Sequence, residues 1–236
     1  MSVVVASVKG GVGKSSFCIG VGRALAKQGH RTLLADMDIG VRSLDLLLGV
    51  AEKTLYNWGD IVLGNCEPVN AVIPVSENLS VLPAPVFFNI EFTKEKLLPC
   101  FEELGKQYEY ILLDAPAGIE NGFKLAGSVA KSGIIITTPD PVSVRAAAGA
   151  AEALREKGNV RLVINRFNRK KKTDVCIDDF IDGVGARLLG IIPESKEINN
   201  LCTGGNLPSG CKGNLAFERI AKRMCGESVP LRLKEL

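Results

Sequence analysis

A short glycine-rich segment near the N-terminus carries the residues best suited to hold phosphate. It reads Ser-Val-Lys-Gly-Gly-Val-Gly-Lys-Ser-Ser over residues 7–16, directly after the apolar run 3–6. A strand, a glycine-rich turn and a helix start present backbone N–H groups and the positive end of a helix dipole to an anion. Lys14 adds a charge for the β- and γ-phosphates, and Ser15 adds a hydroxyl for Mg²⁺. The predicted nucleotide-binding residues are Lys9, Gly10, Gly11, Val12, Gly13, Lys14, Ser15 and Ser16.

The same segment carries a second lysine that the common loop does not have. The usual G-x-x-x-x-G-K-[ST] spacing would place a glycine at residue 8, which here is Val8, and Lys9 follows it. A glycine-rich turn without a ligand is the alternative interpretation. The strand, the turn, both lysines and the hydroxyl are nevertheless all in register, which favours phosphate binding.

Acidic residues follow two further apolar runs. Asp36 and Asp38 come at the end of one run, and Asp114 closes the run that begins at Tyr110. In open parallel sheets, ligands bind beyond the carboxyl ends of the strands, so these carboxylates are expected beside the phosphate-binding loop. Near Mg²⁺ and a γ-phosphate, such groups hold metal-bound water or orient the attacking water. A polar turn and a helix cap are the alternative interpretations.

The elements that must position these residues alternate along almost the whole chain. The apolar runs are short, rich in β-branched residues and Leu, and largely without period-two alternation, which is typical of strands covered by helices on both faces. The predicted strands are 2–7, 31–36, 79–83, 109–114, 133–138, 160–165 and 187–192. The predicted helices are about 14–28, 54–63, 93–106, 120–131, 141–157, 174–183, 194–201 and 213–225. The pattern indicates an α/β fold with a doubly wound, mainly parallel sheet of about seven to eight strands flanked by helices.

Length and composition limit the classes of protein that fit. The chain has 236 residues, 46% of them hydrophobic, which predicts a single domain over residues 1–236. The net charge of +3 is too small to indicate nucleic-acid binding by itself. The N-terminus enters the first predicted strand directly, so we expect no signal peptide, and no apolar stretch approaches the length of a membrane span. The 7 cysteines include no C-x-x-C pair, so we expect a cytoplasmic protein with free thiols.

The loop from Lys9 to Ser15 resembles the deviant Walker A loop of the MinD/ParA family of ATPases. The segments 36–49 and 114–120 are similar to those of the MinD members, and the second contains the Walker B acid. The resemblance covers essentially the whole chain. It implies a P-loop NTPase fold, ATP and Mg²⁺ as ligands, and slow hydrolysis of the β–γ phosphoanhydride. It also implies that the early lysine reaches the phosphates of a second subunit, so that ATP joins a homodimer.

The resemblance implies a role for single residues around the phosphates. Asp38 would position the hydrolytic water, and the two lysines would stabilise charge that develops on the β–γ bridge. The catalytic residues that it implies are Lys9, Lys14 and Asp38. The metal-binding residues that it implies are Ser15, Asp36 and Asp114.

Two later strand ends are expected to form the pocket for the base. Asn165 and Arg166 close one strand, and Pro193 closes another. An amide side chain pairs with the donor and acceptor edges of adenine, and the resemblance implies that Asn165 reads the adenine while the segment after Pro193 lines its pocket. As isolated residues, Asn165 and Pro193 are also ordinary turn formers.

The resemblance further implies partners and a place of action. The MinD members position the cell-division septum with a MinC-like division inhibitor and a MinE-like activator. Their membrane anchor is an amphipathic helix beyond the segment that matches 213–225, which itself is expected to pack on the domain. Residues 227–236 are interrupted by Pro230 and are too short for a stable helix, so we expect either that an anchor of that kind is absent or that the chain has been cut. Peripheral association with the inner face of the membrane stays an open expectation.

Two other functions compete with this one. A ParA-like positioning ATPase would bind DNA or cargo, and the crowded basic residues of 166–172 are its only support. An ATPase for metal-centre maturation would use Cys202 and Cys211, which flank a glycine-rich loop with no histidine nearby.

Overall fold

The computed structural model describes residues 1–168, 177–203, 205 and 207–231, leaving out the side chains of 199, 202 and 203. In this part of the chain, eight strands form one sheet in the order β3-β4-β2-β5-β1-β6-β7-β8. The strands are β1 Ser2–Ala6, β2 Thr32–Asp36, β3 Ile73–Ser76, β4 Leu79–Leu82, β5 Tyr110–Asp114, β6 Ser132–Thr137, β7 Val160–Phe167 and β8 Arg187–Pro193. All neighbouring strands are parallel except the edge pair β3 and β4, which is antiparallel.

Helices cover both faces of the sheet. They are α1 Lys14–Lys27, α2 Leu44–Leu47, α3 Trp58–Val62, α4 Pro68–Ala71, α5 Lys94–Gln107, α6 Asn121–Val129, α7 Pro141–Ala153, α8 Ile177–Val184, α9 Lys196–Asn199 and α10 Lys212–Met224. Short 3₁₀ helices span Ala51–Lys53, Arg155–Lys157 and Asn200–Thr203. None of the helices in the described ranges is both long enough and apolar enough to cross a membrane.

The core consists of two apolar layers, one on each face of the sheet. Val4 and Ala6 of β1 face the layer that α5, α6, α7 and α8 complete. Val3 and Val5 face the layer that α1 and α10 complete. Because both faces of the strands are buried, their sequences are almost continuously apolar, as predicted. The α/β class and the mainly parallel sheet are therefore confirmed.

The strand that the sequence did not predict is β3. Its four residues alternate in exposure, and Pro74 lies among them, so the run lacks the continuous apolar character of the other strands. Proline donates no backbone hydrogen bond and is tolerated at a sheet edge, which is where β3 lies. The seven predicted strands all occur, with ends within two residues of those predicted.

Several helices are shorter than predicted because local caps end them. The helix expected over 54–63 begins at Trp58, where Asn57 and Asp60 form a capping box. The helix expected over 141–157 ends at Ala153 and continues as a 3₁₀ turn. Residues 174–176 of the predicted helix 174–183 lie outside the described ranges.

Candidate nucleotide-binding site

The loop between β1 and α1 has the geometry of an anion cradle. Gly11 and Gly13 have φ values of 72° and 98°, in the left-handed region that glycine adopts without strain. Helix α1 follows at once, with no side-chain cap and no acidic residue in its first turn. The N–H groups of that turn and the positive end of the helix dipole therefore face the loop, where a phosphate would lie.

Asn165 lies directly beneath this loop and holds it to β7. Its Nδ2 donates to the carbonyl oxygen of Val12 at 2.7 Å, and its Oδ1 accepts from the backbone N–H of Arg166 at 2.9 Å. A Cβ added at Gly13 would lie 2.3 Å from the same Nδ2. The residue predicted to read adenine thus also fixes the shape of the phosphate loop.

A cleft beside Asn165 brings the predicted base-pocket residues together. The volume of this cleft is ≈ 530 Å³.

 The larger cleft, of ≈ 760 Å³, lies beside Asp38 and Phe88 instead. Gly13, Ser16, Asn165, Arg166 and Pro193 all line the cleft of ≈ 530 Å³. That volume is within the range of small-molecule sites, and the cleft opens next to the phosphate loop.

The acidic residues meet at the carboxyl ends of β2 and β5. Asp36 and Asp114 are paired in the register of these two strands, and both are almost completely buried. Asp36 accepts three backbone hydrogen bonds, from Asp38 at 2.9 Å, Ser43 at 2.7 Å and Leu44 at 2.9 Å. Asp36 therefore shapes the loop that follows β2, and its predicted role in metal binding stays a prediction.

A buried tryptophan supports the same loop from behind. The indole N–H of Trp58 donates to the carbonyl oxygen of Asp36 at 2.8 Å. The ring meets that of Phe92 edge to face, with centroids 4.8 Å apart. The position of Asp36 is thus fixed from both its side chain and its backbone.

Asp114 has the properties of a residue that could bind a cation. Burial, followed by the nearby charge of Asp36, raises its pKa to about 7, although a hydrogen bond from Ser15 and the charge of Lys14 act in the opposite direction. Among the described residues, no group donates a hydrogen bond to its buried Oδ1. Oxygen ligands and concentrated negative charge fit Mg²⁺. Ser15 and Asp114 are the residues that would hold it.

Asp38 lies at the mouth of the site, half-buried. Burial raises its pKa, and the charge of Lys14 acts in the opposite direction. The structure thus brings Lys14, Asp38 and Asp114 into one electrostatic cluster at the phosphate loop, as the sequence predicted for this edge of the sheet.

Lys9 is held by residues that the sequence analysis did not single out. Its Nζ lies 3.2 Å from Asp140 Oδ2 and 3.0 Å from Ser143 Oγ, both at the start of α7. Burial opposes ionisation of Asp140, but hydrogen bonds from Ser143, Thr138 and Lys9 lower its pKa to about 2. The order Asp-Pro-x-Ser after a predicted strand is a helix N-cap pattern, and it could have identified Asp140.

Replacing Asp140 by Asn tests what this contact does. Asn keeps the helix cap but removes the charge opposite Lys9, so Lys9 becomes available to another anion. Because an exposed ion pair contributes about 0.2–1 kcal/mol, we expect the ATP-dependent self-association that the family resemblance implies to strengthen by up to about fivefold for each Lys9 released, measured by analytical ultracentrifugation. Glu152→Gln, which removes the exposed ion pair between the end of α7 and Arg155 of the following 3₁₀ helix, is the matched control. Weaker self-association of Asp140→Asn would contradict this role.

Comparison with known proteins decides the family. A model of the CobQ/CobB/MinD/ParA nucleotide binding domain matches residues 3–207. The chain belongs to the MinD/ParA family. Within the family, the septum site-determining protein MinD of Bacillus subtilis is 33% identical over 247 residues, which cover 99% of this chain and 92% of that protein. MinD of Thermotoga maritima is 34% identical over 247 residues, covering 97% of this chain and 89% of that protein.

Solved structures of MinD/ParA proteins have the same fold. The MinC:MinD cell division complex of Aquifex aeolicus contains a chain with a TM-score of 0.88 and 34% identity, and 98% of each chain is covered. MinD of Pyrococcus horikoshii, solved with Mg-ADP, has a TM-score of 0.85 and 25% identity, with 94% of this chain and 95% of that chain covered. The predicted family is therefore confirmed, and these relatives support a MinD-like function.

The remaining candidates from the sequence fall partly on residues outside the described ranges. Cys211 caps α10 by accepting a hydrogen bond from the backbone of Asn214 at 3.4 Å, and the side chain of Cys202 lies outside the description. No cluster of three or more metal-ligating side chains occurs among the described residues. Residues 169–172 of the basic loop also lie outside the described ranges. Helix α10 packs its apolar face on α1 and β8.

Proposed function

We propose that this MinD/ParA protein is an ATP-dependent dimerisation switch that hydrolyses ATP slowly and acts in placing the division septum. The observation that carries the proposal is Lys9, a second lysine on the phosphate loop. Its side chain binds Asp140 and Ser143, which lie outside the loop. Its side chain is 44% exposed, and its partner Asp140 is 38% exposed. A lysine held by an exposed pair of this kind can exchange its partner for the phosphates of a second subunit.

Exposed apolar residues around the loop support a second subunit on this face. Val41 follows β2, Ile119 follows β5, and Val142 lies in the first turn of α7 after β6; they are 67%, 45% and 71% exposed. These residues therefore surround the phosphate loop of β1, which lies between β5 and β6. Apolar surface that rims a polar site is typical of an interface, so a face-to-face dimer would bury it.

In the proposed reaction, the loop binds the phosphates and the acidic residues act on the metal and the attacking water. The loop N–H groups and Lys14 would bind the β- and γ-phosphates and oppose the charge that grows on the bridging oxygen. When bound, Mg²⁺ would add further positive charge at the phosphates. Asp38, at the mouth of the site, would accept a hydrogen bond from the attacking water and orient it. Asn165 and Pro193 would border the adenine.

Partners are proposed from the relatives. One neighbour was solved as a MinC:MinD complex, so we infer a MinC-like division inhibitor as the partner of the ATP-bound dimer. We also propose a MinE-like activator that stimulates hydrolysis and separates the subunits. Peripheral membrane binding is tested by sedimentation with anionic liposomes in ATP and in ADP.

Replacing Asp38 by Ala tests the switch. We expect ATP binding and the ATP-dependent dimer to remain, because Lys9, Lys14 and the loop are intact, while hydrolysis falls by about 100-fold or more. Single-turnover hydrolysis and light scattering measure the two properties separately. The control is Glu103→Ala, an exposed acid on α5 that should change neither. An Asp38→Ala protein that stays monomeric with ATP would contradict the proposed role of Asp38.

Among the residues that the structure describes, a DNA-positioning function has no support beyond the fold. The plasmid partition protein of Borrelia burgdorferi has a TM-score of 0.76 but only 21% identity, which shows a shared fold alone. DNA binding that falls steeply with salt would favour that function over septum placement.

A further inference from the structure

A second cluster of titratable side chains lies at the amino ends of the strands, whereas the nucleotide site lies at their carboxyl ends. Tyr110 is the first residue of β5, His30 lies between α1 and β2, and Cys225 follows directly after α10. Glu109 precedes Tyr110 in the chain. None of these residues takes part in the proposed ATPase reaction.

The four side chains form a continuous chain of hydrogen bonds. Cys225 Sγ lies 3.3 Å from His30 Nε2 and accepts a hydrogen bond of 3.3 Å from the Tyr110 hydroxyl. His30 Nδ1 lies 3.0 Å from Glu109 Oε2. The other oxygen of Glu109 accepts the backbone N–H of Arg31 at 3.1 Å, which fixes the carboxylate. A thiol, an imidazole and a carboxylate in this order are the arrangement of a nucleophile, its base and the group that orients the base.

The chemistry of each group determines which atom donates and which accepts in these hydrogen bonds. The hydrogen bond from His30 lowers the pKa of Glu109, so this carboxylate is ionised and only accepts. His30 Nδ1 therefore carries the hydrogen, and in the neutral ring Nε2 presents its lone pair to the thiol of Cys225. Burial, and then the bond to Cys225, raises the pKa of Tyr110 far above its usual value, so the phenol stays protonated and donates to the sulfur.

The cluster around Cys225 lies at the protein surface. Cys225 is partly exposed, and the side chains of His30 and Glu109 are 30% and 48% exposed. The other charged groups nearby are otherwise engaged, since Arg223 donates to the carbonyl oxygens of Val229 and Pro230, and the N-terminal amino group donates to the Glu109 carbonyl.

Other described cysteines lack this environment. Cys18 is completely buried, and burial raises its pKa well above the usual value. Burial also raises the pKa of Cys100, whose thiol donates to the backbone oxygen of Lys96. Cys100 is partly exposed like Cys225 and so provides an internal reference.

We propose that Cys225 is a nucleophilic thiol that forms a mixed disulfide with low-molecular-weight disulfides. His30 takes the thiol proton, and the Cys225 thiolate attacks one sulfur of the disulfide. One S–S bond forms as the other breaks, and the departing thiolate takes the proton from His30, so no further oxidant is needed. Tyr110 stabilises the thiolate by its hydrogen bond, and Glu109 stabilises the imidazolium.

The test is the reaction of the full chain with glutathione disulfide near neutral pH, with each adduct located by peptide mass spectrometry. We expect Cys225 to react at least about tenfold faster than Cys100, because the thiolate is the attacking form. His30→Gln should slow Cys225 by roughly tenfold, and Tyr110→Phe, which keeps the ring, should slow it by a smaller factor. The rate at Cys100 should stay unchanged in both variants.

Equal rates at Cys225 and Cys100 in the unmodified chain would overturn the proposal. An unchanged Cys225 rate in His30→Gln would overturn it as well. Glu109→Gln provides a second variant in which the imidazole remains but loses its anionic partner, and it should also slow Cys225. ATP binding depends on the carboxyl ends of the strands, so measuring it for each variant reports whether the fold is retained.

Discussion

Replacing Lys14 by Ala should lower the affinity for ATP by about 100-fold. The residue begins α1 at the point where the loop N–H groups and the helix dipole converge, and its charge acts on both Asp38 and Asp114. Removing one member of a close charge pair costs about 3 kcal/mol, which corresponds to that change in affinity. Isothermal titration with a slowly hydrolysed ATP analogue measures it.

Two other lysines sharpen this experiment. Lys27→Ala removes an exposed contact to Glu218 at the far end of α1 and should leave ATP affinity unchanged. Lys9→Ala should bind ATP as a monomer but fail to dimerise, which separates the two lysines of the loop. ATP affinity that is unaffected by Lys14→Ala would show that the loop does not bind the phosphates.

Replacing Asp114 by Asn should stabilise the protein at alkaline pH while it impairs hydrolysis. Burial and Asp36 hold the pKa of Asp114 at about 7 in the folded chain, above its ordinary value. The folded state therefore binds the proton more tightly than the unfolded state does. This contribution to stability is present at low pH and is lost as the pH rises through about 7.

The expected effect is large for a single substitution. Between about pH 5 and about pH 8 the native carboxyl group loses its proton, and the difference between Asp114→Asn and the unmodified protein should widen by up to about 3 kcal/mol in favour of Asn. Urea unfolding without Mg²⁺ at the two pH values measures this difference, provided that the dependence of the unfolding free energy on urea concentration stays constant. Glu103→Gln is the control. If the stability advantage of Asp114→Asn over the unmodified protein became smaller with rising pH, the placement of Asp114 in a buried acidic cluster would be contradicted.

The predicted strands succeeded because buried parallel strands need continuous apolar sequence. The loop 7–16 and the acids at the ends of β2 and β5 could be predicted as site residues for a related reason, since each group lies in consecutive residues of the sequence. The edge strand β3 was missed because Pro74 and its exposed positions remove the apolar signal.

Contacts between distant parts of the chain could not be read from local patterns. Lys9 and Asp140 are separated by 131 positions, and His30 and Cys225 by 195. Only the order of strands brings these pairs together. In the same way, the hydrogen bond from Asn165 to Val12 depends on the approach of β7 to the loop, which no local sequence rule predicts.

The buried indole behind Asp36 gives the native chain an optical probe of its own. Trp58 is the 1 tryptophan in the sequence, so its fluorescence is not mixed with that of another. Its N–H bonds the backbone of Asp36, and its ring contacts Phe92, which lines the larger cleft together with Asp38. Fluorescence emission from Trp58 therefore reports conformational changes of the loop that follows β2 in real time, without a dye or a substitution.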